Sequence, residues 1–215
     1  MKGLLIKDFK YLMMQKRFFI VVLGFGFFLS ISGENPLTSV GYVTMLIPIF
    51  TLSTISYDEY ENGMMTLPIH RNMYAMEKYI FSGGMAVLSA IAASIIAVIT
   101  AKILDMIIGM KEIFATSGIM MIFSWLVLFI TIPMQIKYGA EKARIVMLLI
   151  GGGAFGVTFL ISKGSAYLGI DLLPIVETFF SMNKVVLFMI GVVVFMIALL
   201  ASYAWSVRIM KKKEF

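Results

Sequence analysis

Six stretches of this 215-residue chain carry no charged side chain: 18–33, 35–57, 79–101, 113–136, 145–162 and 185–207. They hold 16, 23, 23, 24, 18 and 23 residues, and a helix needs roughly 20 apolar residues to cross a hydrocarbon layer about 30 Å thick. A bilayer gives backbone amides no water to bond, and each stretch exceeds a β-barrel strand of about 10 residues, so each is expected to be an α-helix. The expected fold class is all-α, a polytopic membrane protein with six transmembrane helices.

Lysine and arginine fall unevenly on alternate connections. One side collects Lys2, Lys7, Lys10, Lys16, Arg17, Arg71, Lys78, Lys137, Lys142, Arg144, Arg208, Lys211, Lys212 and Lys213, fourteen of the eighteen basic residues. The other has Lys102, Lys111, Lys163 and Lys184. Cytoplasmic segments retain Lys and Arg, so both termini are expected in the cytoplasm. The net charge of +6 is read as a topology determinant. Nucleic-acid binding is not expected, because it needs a folded basic surface that these short tails do not build.

Hydrophobic residues make up 60% of the chain, and the longest connections are 58–78 and 163–184. Neither holds an aqueous core of ordinary size, so residues 1–215 are read as a single transmembrane domain. The chain has no cysteine, which removes disulfides and thiolate metal sites from consideration. No cleavable signal peptide is expected, since the first apolar stretch lacks a small-residue cleavage motif.

Residues 1–17 precede that stretch. At 3.6 residues per turn Leu5, Ile6, Phe9, Leu12 and Met13 gather on one side and Lys7, Asp8, Lys10 and Gln15 on the other. This predicts an N-terminal amphipathic interfacial helix whose lysines and Arg17 face anionic headgroups.

The connection 58–78 opens with an acidic turn that runs to the helix-stop signal Asn62-Gly63. Pro68 then enforces an extended approach to a second helix. The acidic residues with Met64, Met65, Leu67 and Ile69 fit a docking surface for another protein. A solvated charge run with a few interfacial apolar residues has the same composition.

Read as Asp58-Glu59-x-Glu61-x-Gly63, then Leu67-Pro68-x-x-Arg71 and Lys78-Tyr79, this loop resembles the first cytoplasmic loop of type 2 ABC-transporter permeases. The amphipathic start and six-span plan agree along the whole chain, although only the loop is motif-specific. In size, short basic tail and loop wording the chain is most similar to small bacterial permeases, including the membrane subunits of phenol-soluble-modulin peptide exporters. The resemblance implies ATPase-coupling roles for Asp58, Glu59, Glu61, Gly63, Leu67, Pro68 and Arg71. It further implies a separate ABC ATPase subunit carrying ATP and Mg, a second copy or close homologue of the permease, and a bacterial cell membrane as the setting.

No G-x-x-x-x-G-K-[ST] occurs, so ATP hydrolysis is not expected on this chain. The cluster Gly151, Gly152, Gly153 and Gly156 lies in an apolar stretch, and Gly152 and Gly156 have the four-residue spacing of close helix contacts. Gly83 and Gly84 open a band of small residues that invites the same reading. His70, the sole histidine, lacks the H-E-x-x-H spacing of a zinc site. No metal site and no catalytic group is expected, and no carboxylate lies inside the six stretches to support a proton relay.

Between Lys163 and Lys184, Gly164, Gly169 and Pro174 stand among apolar residues, a composition suited to a segment dipping into the outer leaflet under protein cover. In the resembling family a re-entrant segment there caps the transport path, and Asp171 and Glu177 would face that path or water. Together these readings predict the membrane subunit of an ATP-driven exporter of amphipathic peptides or other hydrophobic substrates, with membrane lipids around it. The rival is a non-transporting scaffold or immunity protein that binds a toxin peptide.

Overall fold

The structure, a computed structural model, describes residues 2–60, 71–106, 108–168 and 184–212, with side chains except at 59–60, 71, 140–141, 143–144, 146–168 and 184–188. Its elements are α1 (Lys2–Met14), α2 (Lys16–Ser32), α3 (Leu37–Thr51), α4 (Ser53–Tyr60), α5 (Arg71–Ile103), α6 (Met110–Leu168) and α7 (Lys184–Lys212). All are helical, as charge-free stretches in a medium without water require.

Four stretches among the described residues are long and apolar enough to cross a membrane: Leu37–Asp58, Asn72–Ile103, Met110–Gly139 and Met189–Lys212. The pair Lys2–Met14 and Lys16–Ser32, bent by 65°, makes a fifth if counted as one span. The stretch 145–162 runs inside α6, and its side chains from 146 on lie outside the described set.

Two expected connections are helical in part. Residues 71–78 form the first turns of α5, which continues unbroken to Ile103; the helix foreseen after Pro68 and the third span are one 33-residue rod, about 50 Å long at 1.5 Å per residue. Residues 137–144 belong to α6, interrupted only at Gly139, whose φ of 79° and ψ of 175° leave helical space. A left-handed φ of this kind suits glycine, which has no Cβ to clash. The outer segment likewise begins later than expected, because α6 extends to Leu168. Residues 169–183 lie outside the described set.

The bundle is built inside out. α3 is its centre, packed by α2, α5 and α6. Toward it α5 turns Ala75, Ser82, Ala86, Ser89, Ala93, Ala97 and Thr100, all buried, while Ile80, Leu88, Ile91, Ile95 and Ile99 are exposed. Helices in lipid gain nothing by hiding large apolar groups from one another. They associate through small residues that let backbones approach and hydroxyls that bond across. Ser117, Ser124, Thr131 and Gln135 form the matching buried stripe of α6. Among the described residues α7 is held along one edge: Phe195 packs on Trp125 and Phe129, and Tyr79 bonds Ser202 Oγ at 2.5 Å and Ser206 Oγ at 2.9 Å.

Two hairpins close one end. Glu34 (φ 49°) and Asp105 (φ 48°) each take the left-handed position just past a helix. After α2, Glu34 N–H donates to Ile31 O and Asn35 N–H to Ser30 O; after α5, Asp105 N–H donates to Lys102 O and Met106 N–H to Ala101 O. Both are complete Schellman caps, built on acidic residues where glycine is usual. The opposite end gathers α1, α4, the start of α5, the Gly139 break and the end of α7. There Leu52, Ile55, Tyr74, Leu128, Ile132, Ile136 and Met210 form one cluster. The first and last described helices therefore meet at the same end.

Candidate functional site

At that end the bundle holds a buried cluster of charged side chains. α1 presents Leu4, Asp8 and Leu12 inward at four-residue intervals and leaves Ile6, Phe9 and Met13 exposed. Asp8 is wholly buried. α4 brings Asp58 one turn below Thr54, and α5 brings Tyr74, Glu77 and Lys78, with Lys78 one turn before Ser82.

Lys78 is the hub. Its ammonium lies 2.5 Å from Asp8 Oδ2, 2.7 Å from Asp58 Oδ2 and 3.3 Å from Thr54 Oγ1, so all three of its donors are placed. Lys7 closes the ring, ion-paired with Asp58 Oδ1 and 3.0 Å from Asp8 Oδ1. The Tyr74 hydroxyl donates to Asp58 Oδ2 at 3.0 Å. Burial alone would push the Asp8 carboxyl up, but Lys78 and then Lys7 outweigh it and hold the group below the usual carboxylate range.

Hydroxyls extend the joint into the bundle. Thr54 Oγ1 donates to Thr51 O at 2.9 Å, and Thr51 Oγ1 bonds Pro48 O at 2.5 Å and Ser82 Oγ at 3.0 Å. The α3–α4 junction is tightened there, because Leu52 N–H donates to Ile49 O, three residues back, while Pro48 O accepts from Thr51 Oγ1. Gln135 of α6 covers the spot, its amide donating to Leu52 O at 2.8 Å and Ser56 Oγ at 2.7 Å. Three sequence-distant helices are thus tied to the base of the connection 61–70. An ionic joint of this burial is rigid, since separating any one charge leaves its partner unpaired in a medium that does not solvate it.

Several expected residues stand differently from the sequence reading. Asp58 is fully buried within the joint. Lys7 pairs with Asp8 and Asp58 where headgroup contact was expected, and Leu12 packs inward beside Asp8. Glu61, Gly63, Leu67 and Pro68 lie outside the described residues, as do the side chains of Glu59 and Arg71.

Gly83 is a true contact point, because an added Cβ would stand 2.9 Å from Trp125. At Gly84 an added Cβ would meet nothing within 4 Å in this chain. Gly152 and Gly156 are helical in α6, with their surroundings outside the described set. Gly26 was not foreseen, yet its Cα carries α2 against α3, where a Cβ would meet Val43 at 2.7 Å.

Lateral grooves run between helices among the described residues. One of 420 Å³ between α5 and α6 is lined by Val87, Ile91, Ile95 and Phe114, and one of 410 Å³ between α6 and α7 by Trp125, Val192 and Phe195. Their apolar walls suit lipid chains. Among the described residues no group of carboxylates and histidine is arranged to hold a metal ion.

Apolar helices packed through small residues, with an ionic joint at one end, define a multi-pass membrane protein whose helices are coupled at a single base. Residues 3–211 match the family described as ABC-2 family transporter protein, and the chain belongs to that family. It is a transmembrane component of an ABC transporter. No curated protein and no solved structure matches it.

Proposed function

We propose that the chain is the membrane subunit of an ATP-driven exporter, paired with a second copy or close homologue and powered by a separate ABC ATPase that holds ATP and Mg. Both termini face the cytoplasm of a bacterial cell, and the helix foreseen at 145–162 supplies the sixth crossing. Supporting this orientation, the end that gathers α1, the base of 61–70 and the end of α7 is also the end rich in lysine and arginine. Amphipathic peptides, as in phenol-soluble-modulin exporters, are the substrate class, because the exposed helix faces offer Met, Phe and Ile and few polar partners.

The observation that carries the coupling role is the ring of Lys7, Asp8, Asp58 and Lys78. The ATPase pushes on residues 59–71, where Glu59, Glu61, Gly63, Leu67, Pro68 and Arg71 make the contact. The ring passes that displacement to α1, α4 and α5 as one body, because packed and ion-paired elements shift between discrete arrangements and do not stretch. Reconstitution with the ATPase tests the reading: amphipathic peptide should stimulate ATP hydrolysis and accumulate in inverted vesicles. Stable peptide binding without an ATPase partner would favour the scaffold or immunity function.

A further inference from the structure

Glu77 stands at the edge of the ionic ring, in a long 3.5 Å pair with Lys78 and without a hydrogen bond. Two lysines and two aspartates balance there. The three hydrogens of Lys78 go to Asp8, Asp58 and Thr54, Lys7 serves Asp58 and Asp8, and the Tyr74 proton goes to Asp58. Glu77 is a third carboxyl, 0% exposed, 3.5 Å from Lys78 through Oε2, and neither of its oxygens receives a hydrogen bond. Asp8 Oδ1 is also buried without one, although Lys7 stands near. Lys78 Nζ stands 2.5 Å from Asp8 Oδ2 and 3.5 Å from Glu77 Oε2, so the two carboxyls flank one ammonium. Two carboxylates cannot bond each other, whereas a carboxyl and a carboxylate can.

We propose that Glu77 is a proton-binding site, its proton donated to Asp8 so that the joint between α1 and α5 closes only when that proton is present. A larger cation has no route to a group with no exposed surface, and a proton is the one cation that fits between two buried carboxyls. Among the described residues the groups around it are Lys7 and Asp8 of α1, Asp58 and Thr54 of α4, and Lys78 and Tyr74 of α5; α6 and α7 bring the apolar Leu128, Ile132, Ile136 and Met210 around Tyr74. Loss of the proton sets two like charges face to face across the α1–α5 contact, which pushes α1 away. The site stands independently of what the protein transports.

Infrared spectroscopy of the full-length chain in nanodiscs, with glutamate carboxyls labelled with ¹³C, tests it without any substitution. At neutral pH the wild type should show a protonated-acid carbonyl band that shifts with the label and fades as pH rises. Glu77→Gln should lack that band. A wild type with no label-sensitive acid band at neutral pH, or a band that persists in Glu77→Gln, overturns the proposal. Spin labels at Lys10 and Met76, both exposed, give the second readout. Their distance distribution should broaden at alkaline pH in the wild type and stay narrow in Glu77→Gln, whose amide still donates to Asp8. Equal pH dependence in the two proteins counts against a proton held at Glu77.

Discussion

Lys78 and Asp8, seventy residues apart, meet at 2.5 Å with side chains 1% and 0% exposed. That contact fixes the angle between the surface helix α1 and the long rod α5. Removing either partner strands the other charge, at a cost of about 3–5 kcal/mol. Lys78→Met and Asp8→Ala should therefore lower the thermal midpoint of the purified protein sharply. Lys102→Met, at an exposed site, should change stability by less than about 0.5 kcal/mol. Equal midpoints for all three variants would remove the joint from the account.

Adjacent glycines should respond oppositely to added bulk. Gly83→Val drives a side chain into Trp125 and should cost about 1–3 kcal/mol, read as a lowered midpoint and a changed tryptophan fluorescence. Gly84→Val meets nothing within 4 Å in the chain and should fold as the wild type does. A Gly84 variant that folds but no longer self-associates would assign that face to the second copy.

The Tyr79 hydroxyl is the main polar tie between α5 and α7. Tyr79→Phe removes its bonds to Ser202 and Ser206, and hydrogen bonds between membrane helices are worth about 0.6–2 kcal/mol. The variant should gain proteolytic sensitivity at the C-terminal helix with little change elsewhere, as limited proteolysis would show.

Much of the helical plan was legible because charge is so costly in lipid: the uncharged stretches mark α2, α3, α5, the first part of α6 and α7. Helix ends were not legible. Residues 71–78 read as part of the cytoplasmic connection because Arg71, Glu77 and Lys78 are charged, yet Lys78 is paired with Asp8 and Asp58, and an ion pair is invisible until distant residues are brought together. The same holds for Asp8 itself. Its four-residue spacing from Leu4 and Leu12 was present in the sequence, but grouping by polarity set it on the outer face. Gly139 was legible as a break only once its left-handed φ was known, since many helices tolerate glycine.

Orientation can be read chemically. Cysteines at Glu34 and Lys111, both exposed near the Schellman hairpins, should react with an impermeant thiol reagent on intact cells, whereas those at Lys10 and Lys212 should react only after permeabilisation. Reaction at Lys10 from outside would invert the bundle.

The central claim is that this chain and an ATPase move an amphipathic molecule through coupled helices. The direct measurement is ATP-dependent uptake of amphipathic peptide into inverted proteoliposomes containing both proteins, compared with Lys78→Met. The account predicts uptake and peptide-stimulated hydrolysis in the wild type. In any Lys78→Met complex that still assembles, hydrolysis should continue with uptake lost. A wild-type complex that binds peptide but transports none in any nucleotide state would contradict it.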